Sequence, residues 1–298
     1  MSGLATASRG TASATAASPA RATLTRLAAV IPCHDSVCLE RVVAGALAHV
    51  DELVIVADGC PPRLHAELDR ISRGAWAARV VWIEHNSGKG DAVAAGIDAM
   101  LRSDQRPDAI IVLDADGQHP PELIPQFAAA AREAELVIGD RLGDTAPMPL
   151  IRRFTNRVSS VLLTLVCRQR MRDSQCGMRL YRSELLERVP PPPGRYEAET
   201  LHLRALIRAG ARVAWVQMPT IYDGAASFFR PARDTARVLA AIVLPAALVR
   251  AAASMPRWRR ARAAREARPR LRSPTGAWER GCPAPGRVPT RRARARRP

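Results

Sequence analysis

The sequence has few of the features that mark disulfide-rich, zinc-binding or membrane-spanning proteins. Its six cysteines form no CxxC pair and no zinc-ligand spacing, and they are too sparse for a disulfide framework in a chain of 298 residues. No apolar run reaches the roughly 18 residues that a membrane-spanning helix requires. The longest candidate, 238–249, contains Pro245, and the amino-terminal region lacks the apolar core of a signal peptide. These absences predict a protein of a reducing compartment, the cytoplasm.

Lysine and aromatic residues are scarce, and acids are outnumbered by bases. Only one of the 45 basic residues is a lysine, Lys89, and the net charge is +17. The segment 251–298 holds 15 arginines and two acids, so it carries +13 of that charge and leaves +4 for the rest. Nucleic-acid binding by the folded part is therefore not predicted. The tail offers only Trp258 and Trp278 for base stacking, which argues against nucleic acid as a partner.

Composition divides the chain into four segments. Residues 1–26 are rich in Ser, Thr, Ala and Arg and contain no acid, which predicts a disordered extension, although a transit peptide has a similar composition. Residues 27–235 have the composition of a globular domain. Residues 236–255 predict an apolar helix, and 256–298 predict a disordered Arg-rich tail.

Short apolar runs alternate with amphipathic stretches along the domain. Because parallel strands need helical crossovers and are buried on both faces, this pattern predicts a doubly wound, Rossmann-like α/β fold with a mostly parallel sheet and helices on both faces. The predicted strands are Leu27–Pro32, Leu53–Ala57, Arg79–Glu84, Ala109–Asp114, Glu135–Gly139, Gly177–Tyr181 and Arg212–Met218. The predicted helices span about 38–49, 63–73, 89–102, 121–132, 150–167, 197–209 and 235–254.

Polar residues follow each predicted strand of the first half, where the ligand crevice of an open parallel sheet lies. A single acid there is often only a helix N-cap, which is the alternative for Asp35 or Asp58 taken alone. Asp114 and Asp116 form a DxD pair after the fourth strand, and two carboxylates this close repel unless a cation lies between them. With Gln118 two residues on, these oxygen ligands predict an Mg²⁺ or Mn²⁺ site, although a lone DxD is also a common turn.

The segment Asn86-Ser87-Gly88-Lys89-Gly90 opens a predicted helix. Glycines let the backbone approach a ligand closely, and a helix start favours anions. The GxxxxGK[ST] pattern of a P-loop is absent. A glycine-rich turn with a solvated lysine is the alternative. Because arginine serves at every other basic position, we interpret Lys89 as a compact charge that contacts an anionic ligand.

Six ordered motifs resemble family 2 glycosyltransferases with the GT-A fold. The branch that they resemble is that of the polyprenyl-phosphate (dolichyl-phosphate) mannosyl- and glucosyltransferases. The resemblance covers roughly residues 27–232. The motifs are Val30–Asp35, Val56–Cys60, Asn86–Gly90, Leu113–Pro120, Val137–Arg141 and Asp173–Arg179.

The resemblance implies a nucleotide-diphosphate sugar donor bound by the half 27–140 and an acceptor bound by the half 141–235. Divalent Mg²⁺ or Mn²⁺ would sit on the diphosphate, held by Asp114 and Asp116 with Gln118 nearby. Arginine binds phosphate bidentately, so arginines of the later motifs are further phosphate partners. The residues implied in donor and phosphate binding are Pro32, His34, Asp35, Asp58, Lys89, Asp114, Arg141, Gln175, Arg179 and Arg230.

The implied reaction is an inverting transfer of a hexose to a lipid phosphate or another hydroxyl acceptor at the inner face of the cell membrane. A hydroxyl acceptor needs a base, whereas an anionic phosphate does not. The candidates for a base or acceptor-positioning group are Asp173, Glu197 and Glu199. Acids at the start of a helix also stabilise its dipole, which is the alternative for the two glutamates. The resemblance favours Glu199 and adds Arg141 to the catalytic set.

The chain departs from the family pattern at two places in the implied nucleotide pocket. Ala57 stands where the first of two adjacent acids is usual, and His34-Asp35 stand where Asn-Glu is usual. The base of the nucleotide is therefore left open. Ala57 also keeps open a non-catalytic, sugar-nucleotide-binding scaffold. A nucleotidyltransferase is a further alternative because it would use a DxD-type metal site, but it would need a basic Gly-rich loop after the first strand.

Membrane contact is a separate prediction. Residues 158–167 and 238–249 are apolar, and the second segment precedes the basic tail. An apolar helix beside an Arg cluster is typical of a peripheral anchor on anionic lipid. A core helix followed by a disordered tail is the alternative.

Overall fold

The computed structural model describes residues 24–73, 78–143, 148–221 and 231–244. The strands are β1 (Leu27–Cys33), β2 (Glu52–Asp58), β3 (Ala78–Ile83), β4 (Ala109–Val112), β5 (Leu136–Asp140), β6 (Arg179–Arg182) and β7 (Val213–Gln217). The helices are α1 (Leu39–Leu47), α2 (Pro62–Arg73), α3 (Lys89–Leu101), α4 (Ile124–Ala130), α5 (Leu150–Cys167), α6 (Ser183–Arg188), α7 (Tyr196–Arg208) and α8 (Pro231–Val243), and a 3-10 turn spans Pro121–Leu123.

The strands form one mixed sheet in the order β3-β2-β1-β4-β6-β5-β7. All neighbouring strands are parallel except β6, which runs antiparallel to both β4 and β5. Every residue of β4 and β5 is buried, so helices or loops cover both faces of the sheet there. The predicted α/β fold with a mostly parallel sheet is confirmed, and the single reversed strand adds the antiparallel element.

Helix α3 lies close against the sheet because its sequence is rich in small residues. A Cβ atom at Gly96 would lie 2.4 Å from Cγ1 of Val30 and 3.0 Å from Cγ2 of Val56, so any larger residue would push the helix away. The first residue of this helix is Lys89. Close packing on β1 and β2 therefore fixes where the lysine stands relative to the strand ends.

In the part of the chain that the structure describes, the sequence pattern located all seven strands and the longer helices, but it missed one short helix. Helix α5 has the bounds that were predicted, but α6 was not predicted because its six residues are too few for a clear helical period. Helix α8 begins four residues before the predicted start. The predictions for the segments 1–23 and 245–298 lie outside the described residues. Within the described ranges, no helix has the length and apolarity needed to span a membrane.

Arg204 of α7 holds the end of α8. Its guanidinium is buried, and Nη1 donates to the carbonyl oxygens of Ala241, Ile242 and Leu244 at 2.7–3.0 Å. These carbonyls belong to the last turn of α8 and its exit, where intrahelical partners are lacking. The guanidinium of Arg204 on α7 thus caps the carboxyl end of α8. This contact keeps α8 beside α7 and beside the site described below.

His202 is a buried imidazole that couples stability to pH. Its ring stacks on the ring of Tyr181 with 5.6 Å between the ring centroids, and its Nε2 donates to the carbonyl oxygen of Val189 at 2.9 Å. Burial lowers the pKa of His202 to about 4 from its ordinary 6.5, so the folded protein keeps this ring neutral. Its contribution to stability is complete above about pH 6.5 and is lost as the pH falls towards 4, because the unfolded chain binds the proton first.

We expect the variant His202→Gln, which keeps a donor for Val189, to lose stability less steeply on acidification. Each pH unit in this window corresponds to about 1.4 kcal/mol for one such group. Urea unfolding of the wild type and the variant at about pH 7.5 and about pH 5 measures the difference. The exposed His49, changed to Gln, is the control, and it should leave the pH dependence unaltered. Equal pH dependence in all three proteins would contradict the expectation.

Candidate active site

A cavity of about 580 Å³ opens at the carboxyl ends of β1, β2 and β4. The start of α3 forms one part of its wall, and residues of α5, α7 and α8 contribute the others. It brings together most of the side chains that the sequence singled out. Those that line it are Pro32, His34, Asp35, Asp58, Lys89, Asp114, Asp116, Gln118, Arg141, Gln175 and Glu199.

Lys89 joins two carboxylates from distant parts of the chain. Its Nζ lies 2.9 Å from Oδ1 of Asp114 and 3.2 Å from Oε1 of Glu199. Burial by itself lowers the pKa of Lys89, but the two carboxylates outweigh it and hold the pKa well above its ordinary value. The lysine is therefore charged, and its partners show why a compact ammonium stands here: it reaches two oxygens from one point.

Asp114 is held ionised by its surroundings. Burial raises its pKa, yet the ammonium of Lys89 more than offsets this and lowers the pKa to about 2. The backbone N–H of Asp114 donates to Nδ1 of His119 at 2.9 Å, so that nitrogen carries no proton. Burial lowers the pKa of His119 to about 4, which keeps the ring neutral at physiological pH. The imidazole supports the strand exit and adds no charge.

Asp116 is the carboxylate suited to a cation. Burial and the nearby charge of Asp114 raise its pKa, and its Oδ1 accepts the N–H of Gln118 at 3.0 Å. No group of three or more His, Cys, Asp or Glu side chains within the described ranges is arranged to hold a metal ion. Mg²⁺ and similar ions on phosphate substrates typically take one or two carboxylates and complete their shell with phosphate oxygens and water. The donor set fits an ion that arrives with a diphosphate.

Asp58 supports the glycine-rich loop with its carboxylate. Oδ1 accepts the N–H and the hydroxyl of Ser87 at 2.7 and 2.8 Å, and Oδ2 accepts the N–H of Gly88 at 2.9 Å. Gly88 has φ of +107°, which favours glycine. Nδ1 of His34 donates to the carbonyl of Asp58 at 2.7 Å. The aspartate thus shapes the cavity wall through the loop that starts α3.

Arg141 and Asp173 form a bidentate ion pair at the edge of the cavity. Nε of Arg141 lies 2.8 Å from Oδ2, and Nη2 lies 3.2 Å from Oδ1 of the aspartate. The Asp173 side chain has no exposed surface and does not line the cavity. Asp173 was predicted as a candidate base. The structure instead makes it a positioning residue, because both of its oxygens are turned towards Arg141.

Arg179 does not reach the cavity, contrary to the predicted phosphate contact. The residue is 1% exposed, and its guanidinium donates to three backbone carbonyls, those of Ser174, Cys176 and Glu199, at 2.8–3.0 Å. Its place is therefore structural: it fastens the loop after α5 to the start of α7. Arg230, the other arginine suggested for phosphate, lies outside the described residues.

Several lining residues were missed because they come from elements that carry no strand-end motif. Arg152, Thr155 and Asn156 reach the cavity from α5, and Arg195 and Tyr196 reach it from the start of α7. A signal was present in the polar cluster on the otherwise apolar α5, but only the folded position of the helix shows that this cluster faces the site. Asp35 lies beside Arg63, another missed residue of the lining, with which it forms an ion pair.

Gly177 is required because Lys89 and Asp114 lie too close to leave room for a side chain. A Cβ atom at this position would lie 2.7 Å from Nζ of Lys89 and 2.9 Å from Oδ2 of Asp114. We expect Gly177→Ala to displace Lys89 and to weaken donor binding at least about tenfold, while the melting temperature falls by only a few degrees. Gly210→Ala is the control: its φ of +79° makes alanine strained, but no atom lies within 4 Å of a Cβ there, so it should lower the melting temperature and leave donor affinity unchanged. Unchanged donor affinity in folded Gly177→Ala would contradict the expected crowding.

The fold and the cavity define an α/β protein with a ligand crevice at the carboxyl ends of its strands, and comparison with known proteins identifies the family. The chain matches the family model described as Glycosyl transferase family 2 over residues 28–189, and it belongs to that family. The fold is that of GT-A proteins. The crystal structure of glucosyl-3-phosphoglycerate synthase from Mycobacterium tuberculosis in complex with Mn²⁺, UDP and phosphoglyceric acid has a TM-score of 0.55, with 20% identity, and covers 74% of this chain and 80% of that one.

Curated relatives are similar over about half of the chain. The undecaprenyl-phosphate 4-deoxy-4-formamido-L-arabinose transferase of Edwardsiella ictaluri (strain 93-146) is 30% identical over 174 residues, which cover 55% of this chain and 51% of the relative. The undecaprenyl-phosphate mannosyltransferase of Micrococcus luteus (strain ATCC 4698) is 25% identical over 170 residues, covering 55% of this chain and 69% of the relative. The chain thus spans about half the length of the first of these relatives.

Proposed function

We propose that the protein is a metal-dependent, inverting glycosyltransferase that moves a hexose from a nucleoside-diphosphate sugar to a lipid phosphate at a membrane surface. The observation that carries this proposal is the arrangement of Lys89, Asp114, Glu199 and Asp116 in one cavity of about 580 Å³. A site of this size accommodates a nucleotide sugar and part of a second substrate. Membership of glycosyl transferase family 2 supports the class of reaction.

The donor half of the cavity is the side formed by the ends of β1 and β2 and by the loop that Asp58 supports. Asp116, with Gln118 beside it, would hold Mg²⁺ or Mn²⁺ on the diphosphate. When bound, the cation supplies Lewis-acid stabilisation of the negative charge on the leaving nucleoside diphosphate. Lys89, fixed between Asp114 and Glu199, lowers the repulsion between these two carboxylates and an anionic donor. The Mn²⁺ and UDP bound in the Mycobacterium tuberculosis structure are consistent with such a donor site.

The acceptor half is the side formed by α5 and α7. Arg141, Arg152 and Arg195 all line the cavity, so it offers guanidinium groups to a second anionic substrate. Asp173 holds Arg141 in one orientation, which lowers the entropy cost of using it. A lipid phosphate fits this charge better than a neutral alcohol does. The names of the relatives, both undecaprenyl-phosphate transferases, support the same acceptor class.

Glu199 is the carboxylate that would act on the acceptor. It lines the cavity and is fixed by Lys89, whereas Glu197 does not line it. An acceptor hydroxyl would give its proton to Glu199 as it attacks the anomeric carbon, whereas an ionised phosphate would need only to be oriented. Attack from the side opposite to the leaving diphosphate inverts the anomeric configuration. Such an attack requires donor and acceptor to approach from different walls, as the β1–β2 and α5–α7 sides allow.

Helix α5 supports the membrane part of the proposal because its two sides differ. Arg152, Thr155 and Asn156 face the cavity, while apolar side chains on the other side are exposed to solvent. We call the exposed set the α5 stripe; its members are Leu150, Ile151, Phe154, Val161, Leu165 and Val166. An apolar stripe on a helix that carries arginines is typical of peripheral binding to anionic lipid. It would bring the cavity next to a lipid-borne acceptor.

We expect the double variant Phe154→Ser and Leu165→Ser to bind anionic vesicles at least about tenfold more weakly, since two large apolar side chains no longer enter the lipid. Sedimentation with phosphatidylglycerol vesicles measures the binding, and phosphatidylcholine vesicles report the contribution of charge. Trp82→Ser is the matched control, because Trp82 is an exposed apolar residue on the edge strand β3. Equal binding of all three proteins would remove the α5 stripe from the membrane contact.

Donor binding is tested by thermal shift against a panel of nucleoside diphosphates and sugar nucleotides, with and without Mn²⁺. A ligand that binds only the folded state at about 100 times its Kd raises the melting temperature on the order of 5–10 °C. We expect one base to give this shift and to require the metal. The panel also identifies the base, which the departures at Ala57 and His34-Asp35 leave open. No shift with any nucleotide would count against the donor site.

A further inference from the structure

Two cysteines meet beside the donor half of the cavity. Cys33 is the last residue of β1, and Cys60 follows the end of β2 by two residues. The thiol of Cys60 donates to the carbonyl oxygen of Cys33 at 3.2 Å. Both are free thiols, and they are neighbours in space although 27 residues separate them along the chain.

The fold brings these thiols together through an ordered turn. Strands β1 and β2 are parallel neighbours with Cys33 opposite Ala57, so the residues just after Asp58 lie beside the end of β1. Gly59 has φ of +60°, and a Cβ there would lie 2.3 Å from the backbone nitrogen of Asn86. The turn is therefore fixed by backbone packing, which keeps Cys60 against Cys33.

The two thiols differ in exposure and in acidity. Cys33 is 2% exposed, whereas Cys60 is only half-buried and so is reachable from solvent. The neighbouring Cys33 thiol lowers the pKa of Cys60, whereas the Cys60 thiol, together with burial, raises the pKa of Cys33. A solvent-accessible thiol of lowered pKa next to a fully buried one is the arrangement in which the first is oxidised and the second resolves it.

We propose that Cys33 and Cys60 form a reversible dithiol–disulfide site that responds to peroxides. The thiolate of Cys60 attacks one peroxide oxygen, the O–O bond breaks, and Cys60 becomes a sulfenic acid with release of one water (or alcohol) after protonation. The sulfur of Cys33 then attacks the sulfur of Cys60, and the hydroxyl leaves as a second water with the proton of the Cys33 thiol. Two thiols are oxidised, one peroxide is reduced, and a dithiol reductant reverses the change.

The consequence for the cavity follows from the position of the turn. An S–S bond of about 2 Å replaces the hydrogen bond from Cys60 to the Cys33 carbonyl and draws the turn towards β1. Cys33 lines the cavity, and the adjacent Asp58 holds both His34 and the loop at Ser87 and Gly88. The disulfide therefore links the redox state to the shape of the donor wall. The chemical step itself does not depend on the proposed function.

The test treats the full-length protein with hydrogen peroxide and then alkylates the free thiols. We expect the intact mass before alkylation to fall by two hydrogens, two fewer alkylated cysteines than in the reduced protein, a peptide linking Cys33 to Cys60, and recovery of both thiols with dithiothreitol. Cys60→Ser, a near-isosteric change at a half-buried position, should abolish the link, and Cys167→Ser on α5 should retain it. Circular dichroism of each variant establishes that it is folded. In the oxidised wild type, the Mn²⁺-dependent thermal shift by the nucleotide should be lost and should return on reduction.

Several results would contradict the proposed disulfide or its effect on the cavity. Both thiols remaining reduced, irreversible oxidation of Cys60 alone, or a link from Cys60 to any other cysteine would overturn the proposal. A mapped and reversible Cys33–Cys60 link without any effect on nucleotide binding would support the dithiol site and overturn its connection to the cavity. The absence of a nucleotide shift even in reduced protein would count against the proposed function and not against the disulfide, which mass spectrometry detects by itself.

Discussion

Asp116→Asn is expected to abolish metal-dependent donor binding and to lower kcat/KM on the order of 10³-fold, since the cation that neutralises the leaving diphosphate loses its anionic ligand. The folded protein should gain stability, because burial and the charge of Asp114 both raise the pKa of Asp116, and the N–H of Gln118 and the charge of Lys89 offset these costs only in part. Titration with Mn²⁺ and nucleoside diphosphate, monitored by calorimetry, measures the binding, and urea unfolding without metal measures the stability.

The control for this variant is Asp69→Asn. Asp69 lies on α2, is paired with Arg73 on the same helix, and does not line the cavity. The Asp69→Asn variant loses the same charge as Asp116→Asn. Its affinity for Mn²⁺ with the nucleotide and its kcat/KM should stay within about twofold of the wild type. If Asp116→Asn bound the nucleotide with full metal dependence, another residue would have to hold the cation. The assignment of Asp116 would then be wrong.

Glu199→Gln is expected to lower kcat at least about 100-fold while the donor affinity stays within a few-fold. The amide keeps the shape of the side chain but carries no charge, so it cannot hold Lys89 in the position that orients an ionised phosphate, nor take the proton of a hydroxyl acceptor. Lys89 then keeps only Asp114 as its carboxylate partner. Steady-state kinetics with a fixed acceptor gives kcat, and thermal shift with nucleotide and Mn²⁺ gives the donor affinity. A fall in kcat alone assigns Glu199 to the acceptor step.

Glu197→Gln is a close control, because Glu197 and Glu199 both lie in the first turn of α7. Glu197 accepts the backbone N–H of Arg195 at 3.3 Å and does not line the cavity. The same charge change at the same helix end should therefore leave kcat within about threefold, apart from a small effect on the helix dipole. Equal losses of kcat in Glu197→Gln and Glu199→Gln would mean that the negative charge at the start of α7 affects the rate, and not a carboxylate that acts on the acceptor.

The sequence located the site through the chemistry of its strand ends. Parallel strands end at one edge of a sheet, so polar residues after β1, β2 and β4 were bound to converge, and Asp35, Asp58, Asp114 and Asp116 do so. Lys89 stood out because it is the single lysine of an arginine-rich chain. Its partner Glu199 could not be derived from spacing, since the two residues are brought together only by the packing of α3 against α7.

The sequence predicted which residues lie near the cavity better than it predicted what each of them does. Asp173 and Arg179 belong to the motif that was matched, yet one of them orients Arg141 and the other binds backbone carbonyls. A sequence motif can contain residues that shape the backbone as well as residues that contact a substrate. The sequence alone does not show which residue has which role. The lining residues of α5 were missed for another reason: a helix face has no strand-end position to mark it, and the tertiary placement of the helix decides what it touches.

Ala57 has a different meaning in the structure from the one its sequence position suggested. Its side chain is fully buried on β2 between Cys33 and Trp82 of the neighbouring strands, and it does not line the cavity. Asp58, the acid that remains, is engaged with the loop at Ser87 and Gly88. Position 57 therefore contributes no side chain to the cavity wall of this chain.

The measurement that tests the central claim most directly is the transfer of labelled hexose from the sugar nucleotide identified by thermal shift to a polyprenyl phosphate in anionic vesicles. The proposed function predicts labelled lipid that forms only with Mn²⁺ or Mg²⁺, disappears with EDTA, and is lost in Asp116→Asn but not in Asp69→Asn. Metal-dependent binding of the same sugar nucleotide without transfer or hydrolysis would contradict it and would leave a sugar-nucleotide-binding scaffold as the better account.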